Sequence, residues 1–194
     1  VPRDKRLSPL WRRALVERGE PTVYRGTDLR TIGMPVGGIG CGQLYLGGDG
    51  RLWHWDIFNQ PPPPDAGDYR GPHYAEPLKP ASPIEQGFAI EISQGDRRVV
   101  RRLDATGFPD VEFRGQYPVG RVEYRGNGSV TVSLEAFSRF IPLNVEDSSL
   151  PLTVMEFTVK NSGADPAEVA LAGWIENAVC LGSGLPARGQ RTHA

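Results

Sequence analysis

The stretch Ile32–Gln60 reads IGMPVGGIGCGQLYLGGDGRLWHWDIFNQ, and seven of its first seventeen residues are glycine. Two readings compete: a loop that cradles phosphate, or a set of tight bends between strands. A Walker loop needs a lysine followed by Ser or Thr after its second glycine, and no lysine occurs between Lys5 and Lys79. A dinucleotide fingerprint needs glycines at the first, third and sixth positions, between a strand and a helix. Here they fall at Gly37, Gly38, Gly40 and Gly42, and the following QLYLGGDGRLWHWDIF alternates as a strand does. The phosphate reading fails. Glycines this dense imply positive φ, bulges or close backbone approach, a structural glycine turn.

Working outward, the same alternation recurs. Strands are expected over 22–24, 43–46, 52–58, 88–93, 98–103, 111–114, 121–125, 130–141, 152–160 and 168–175. Between them stand the turn signals GGDG, QGD, RGNGS and NSGADP. Asn127-Gly128 in RGNGS favours a tight hairpin. Along 152–160, Thr153, Met155, Phe157 and Val159 share the core face, and Trp174 is expected in the same layer from the next strand. One short helix is expected near the start, capped by Ser8, with Pro9 at its first position and Gly19 ending it. The chain is therefore expected to be all-β, a large antiparallel β-sandwich of two sheets with a short N-terminal helix. Only Gln60–Gln86 breaks the pattern. With eight prolines it reads as an extended surface excursion, and Tyr69, His73 and Tyr74 give it groups with which to pack as an ordered loop.

Composition removes several function classes. The 22 basic and 23 acidic residues leave a net charge of −1, which gives no electrostatic case for nucleic acid. No apolar run approaches the ~20 residues of a membrane-spanning helix. Cys41 and Cys180 can pair in an oxidising compartment or stand as buried free thiols, and they make no metal framework. No His-x-x-x-His or Cys/His spacing suggests a metal, and no cofactor is expected. The chain begins at Val1, so a secreted or periplasmic location follows if a leader preceded it, and a cytoplasmic one otherwise.

The chemistry-bearing residues give no catalytic centre. A period of two puts Trp53 and Trp55 on one face, either as a platform for sugar rings or, more commonly, as core. His54 and Asp56 on the other face can form an acid–base pair or a histidine satisfied by a carboxylate. Glycoside hydrolysis needs two flanking carboxyl groups, and alternation alone cannot bring Asp56, Glu135, Glu156 and Glu176 together.

Three segments carry a resemblance: IGMPVGGIGCGQLYLGGDGRLWHWDIFNQ, AFSRFIPLNVEDSSLPLTVMEFTVKNSG and GWIENAV. In this order they resemble the N-terminal domain of glycoside hydrolase family 116, which includes non-lysosomal glucosylceramidase and bacterial β-glucosidases. The resemblance implies a lead-in over 1–28 and a β-sandwich domain over 29–194, truncated at its C-terminal end. It places the catalytic carboxylates in an (α/α)6 barrel that follows in the same polypeptide, so none falls in this segment. The partners implied are that barrel and, through it, a carbohydrate or glycolipid substrate. Trp53, His54, Trp55, Asp56, Tyr69 and Tyr74 become candidates for the substrate rim or the interdomain contact. The competing reading is a free-standing carbohydrate-binding or cell-surface β-sandwich.

Overall fold

The computed structural model describes residues 7–17, 19–57, 82 and 84–177. Tyr69, His73, Tyr74 and Cys180, with nearly all of the proline-rich excursion, lie outside them. Helix α1 (Pro9–Ala14) starts where the cap signal puts it, with the Ser8 hydroxyl accepting from Trp11 N at 3.1 Å. The strands follow in chain order: β1 (Tyr24–Arg25), β2 (Gly33–Val36), β3 (Gln43–Gly47), β4 (Leu52–Asp56), β5 (Gln86–Gln94) and β6 (Arg97–Arg102). Then come β7 (Asp110–Gln116), β8 (Val119–Arg125), β9 (Val130–Phe137), the one-turn helix α2 (Val145–Ser148), β10 (Val154–Asn161) and β11 (Glu168–Ile175).

All pairings are antiparallel. A five-stranded sheet runs β1-β7-β8-β9-β10, and a three-stranded sheet runs β11-β5-β6. The all-β expectation holds, with one addition: β2-β3-β4 form a third, smaller sheet rather than joining either of the others. Each sheet gives one face to a shared core. From the large sheet come Phe113, Val122, Tyr124, Val132 and Leu134, from the second Ile90, and from the small one Met34 and Leu46. The Phe88 and Phe157 rings meet across the gap at 4.7 Å. Each such apolar side chain removed from water stabilises the fold by roughly 1.5–3 kcal/mol.

Local chemistry accounts for where the elements differ from expectation. Pro35 sits inside β2, which is tolerable because β2 is the outer strand of its sheet. Strand β9 stops at Phe137, four residues early, because Ser138 turns inward and donates to Leu152 O at 2.9 Å. The β8–β9 connection is wider than a two-residue turn, since Arg125 pairs with Thr131. The tight hairpin lies instead at Gly95-Asp96, where Gln94 pairs with Arg97 and Gly95 has φ of 55°. Met155, Phe157 and Val159 do face the core. Trp174 lies in the other sheet, however, because β11 pairs with β5 and sets Trp174 opposite Gly87, under the Arg102 guanidinium at 5.0 Å.

Candidate functional site

The glycine segment between β2 and β3 packs on the loop 138–153. Gly37, Gly40 and Gly42 have φ of 119°, 76° and 90°, where a side chain is strained. Gly38 is needed for a different reason: a Cβ there would lie 2.2 Å from Leu150 O. The contact is then closed by hydrogen bonds. Gly37 N donates to the Ser138 hydroxyl, Ile39 N to Ser148 O at 2.8 Å, and the Cys41 thiol to Ser149 O at 3.0 Å. The segment is a backbone-on-backbone seam, with Gly37 N, Ile39 N and Cys41 N each already bonded within the protein.

In β4 the two tryptophans part company. Gln43 pairs with Asp56 and Tyr45 with Trp53, so His54 and Trp55 together oppose Leu44. His54 is the extra residue of this bulge, at φ of 54°. Parity flips across it. Trp55 packs against the core with Leu52, and its Nε1 donates back to Leu52 O at 3.0 Å. Trp53 turns to the other face, buried beneath the Arg51 guanidinium at 5.1 Å. No paired platform forms. His54 is half-buried, meets the Tyr45 ring edge-on at 5.7 Å, and burial lowers its pKa.

The buried carboxylates among the described residues are held by structural partners. Asp49 accepts from Arg51 Nε at 2.9 Å, and burial raises its pKa against the pull of that arginine. Burial pushes Asp104 up too, but bonds from Thr106 at 2.6 and 2.8 Å and from Gly107 N outweigh it and hold the group low. Glu112, on the outer face of the large sheet, is gripped by Arg125 at 2.6 Å, by Arg25 and by Arg114 at 2.9 Å. The bond from Arg125, followed by that from Arg25, lowers its pKa against the effect of burial. Glu135 and Glu156 are cross-strand partners, a pairing that alternation alone does not reveal. They stand on an open sheet face, and Glu135 is taken by Arg121 at 2.6 Å. Glu176 accepts from Glu85 N at 3.0 Å. Of Asp56 only the backbone pairing is described.

A groove between β5, β6 and the β8–β9 connection is lined by Ile92, Val99, Arg101 and Phe108, among others, and none of its lining residues is acidic. Arg101 spans it, donating to Gly107 O at 3.1 Å and lying 5.5 Å from the Phe108 ring centre. Among the described residues no group of three or more His, Cys, Asp or Glu is placed to hold a metal, and no helix is long and apolar enough to cross a membrane.

The fold, the glycine seam and the 138–153 loop thus use the segments that carry the sequence resemblance. A family profile described as "beta-glucosidase 2, glycosyl-hydrolase family 116 N-term" matches residues 33–193. The chain belongs to glycosyl-hydrolase family 116, of which it carries the N-terminal domain.

Proposed function

We propose that this chain is the non-catalytic β-domain of a retaining glycoside hydrolase that acts on β-glucosides or glucosylceramide-like substrates. Its task is to seat a catalytic (α/α)6 barrel in the same polypeptide, with residues 1–28 as lead-in and 29–194 as the domain. The observation that carries this reading is the state of the carboxylates. A glycosidase needs one carboxyl group to give a proton and a second to attack or activate water, both facing a sugar in a cleft. Here the buried carboxylates, Asp49, Asp104 and Glu112, are neutralised by arginines or backbone N–H groups. Two carboxylate pairs oppose each other across described strands: Glu112 and Glu123 are held by Arg114 and Arg125, and Glu135 and Glu156 stand on an open sheet face.

Strand β4 is assigned a second task at the substrate rim or the domain boundary. Trp53, His54, Trp55 and Asp56 lead straight into the segment that carries Tyr69 and Tyr74, and a bulge that re-aims a strand is common beside active sites. The test is hydrolysis of an aryl β-glucoside, with the product anomer read by NMR. The full-length polypeptide is expected to turn over with retention, and the 194-residue segment to give no turnover. Hydrolysis by the segment, or inversion by the whole, would reject the reading.

A further inference from the structure

The outer face of the five-stranded sheet is built in rows of cross-strand partners. One row runs Arg114, Arg121, Glu135, Glu156 and the next Glu112, Glu123, Ser133, Thr158. Ion pairs within and between these rows satisfy most of their charge, including Arg114 with Glu123 at 2.8 Å and Arg121 with Glu135 at 2.6 Å. The row at one end is different, because Val119, Phe137 and Val154 succeed one another across three strands. That end continues into the turn at Tyr117 and the loop 138–153, where the Tyr117 and Phe140 rings meet at 5.4 Å.

The loop extends the apolar surface outward. Leu143 has φ of 67°, a conformation unfavourable for a bulky side chain, and it is fully exposed. Val145 is 70% exposed, and Ile39, whose N–H bonds to Ser148 O on the same loop, is exposed as well. With Tyr117, Phe140 and Val154 also exposed, this end of the sheet and its loop present several large apolar side chains to solvent, the kind of surface that marks an interaction site. Backbone strain of this kind clusters at functional sites, and Leu143 gains no packing from the described residues in return.

We propose that this apolar end is the seat of the catalytic domain, with Leu143 as the knob that enters a groove between its helices. The inference rests on the scaffold reading and names the surface that performs it. The occupant follows from three observations. The family match is to an N-terminal domain, so a further domain of the same polypeptide is tethered nearby. Most of the charge on the rest of the outer face is already ion-paired. Within the loop Arg139 is answered by Asp147 at 3.1 Å, so apart from Glu146 the surface is mainly apolar and suits a groove between helices.

The test is thiol labelling of the full-length polypeptide carrying Leu143→Cys, with Thr158→Cys on the exposed charged face as reference and a maleimide as probe, read peptide by peptide. Labelling at 143 is expected to be at least about tenfold slower than at 158, since access governs thiol reaction. Equal rates overturn the proposal. Slowing that appears only with phosphatidylserine vesicles reassigns the patch to a bilayer, and slowing lost on dilution reassigns it to a second copy; either overturns it. A second variant, Leu143→Asp, is expected to split the thermal transition of the full chain in two, and one unchanged transition counts against the assignment. Deleting residues 1–177 tests the underlying reading separately. If deletion abolishes activity while position 143 labels freely, this surface is wrong and the scaffold stands; if the truncated enzyme is fully active, the scaffold reading itself fails.

Discussion

Replacing Gly38 by alanine isolates what the glycine seam does. The added Cβ would stand 2.2 Å from Leu150 O, 2.8 Å from Leu150 C and 2.9 Å from Ser149 C. A comfortable contact is roughly 3.5 Å, so the loop must retreat by more than an ångström. All three atoms are backbone, so no flexible side chain can absorb the shift. Overpacking of this kind costs about 1–3 kcal/mol, and loss of the neighbouring Ile39 N to Ser148 O bond about 1 more. The total expected is about 3 kcal/mol. Gly40→Ala meets nothing within 4 Å and carries only the strain of φ at 76°, about 1 kcal/mol. The assay is urea denaturation followed by tryptophan fluorescence, comparing midpoints at constant m-value. Asparagine tolerates positive φ, so Gly40→Asn should recover part of the loss while Gly38→Asn recovers none. Equal costs at 38 and 40, or a neutral Gly38→Ala, would refute the seam.

Glu112→Gln removes the carboxylate shared by Arg25, Arg114 and Arg125 and should cost about 2 kcal/mol at neutral pH. Its folded pKa lies below the ordinary 4.5. The stability it gives is therefore complete above that value and lost as pH falls through the folded pKa, so the two proteins' denaturation midpoints should converge in acid. Tyr124→Phe deletes the bond from a fully buried hydroxyl to Asp49 O at 3.1 Å, and urea denaturation should register about 1–2 kcal/mol. Along β11 the core-side residues Val169, Leu171 and Ile175 remain 41, 46 and 62% exposed. The 194-residue segment should therefore enhance the fluorescence of a hydrophobic dye, and Leu171→Thr should reduce that enhancement; no enhancement would mean the face is covered.

Much of the fold was legible because alternation reports which face is buried. RRVVRR reads as a strand and forms β6, while Met155, Phe157 and Val159 fall on the core side as their spacing requires. What escaped were features set by distant backbone. Strand β2 contains a glycine and a proline, which local propensity counts against a strand, and it forms because it needs hydrogen bonds on one side only. The His54 bulge inserts one residue without any local sign, so Trp53 and Trp55, expected on one face, end on two. Trp174 could be placed on a strand from its neighbours, but which sheet takes that strand is a matter of topology. The site was least legible. Leu143 reads as an ordinary apolar residue just past the strand expected over 130–141, and its positive φ and full exposure have no local sign.

If, as proposed, this domain supports catalysis without performing it, the catalytic barrel should depend on it. The most direct measurement is turnover of an aryl β-glucoside by the separately expressed catalytic barrel, alone and co-expressed with the 194-residue chain. The barrel alone should be inactive or poorly folded, co-expression should restore turnover with both chains co-eluting, and the 194-residue chain alone should give none. Full activity of the barrel by itself, or turnover by this chain alone, would contradict the proposal.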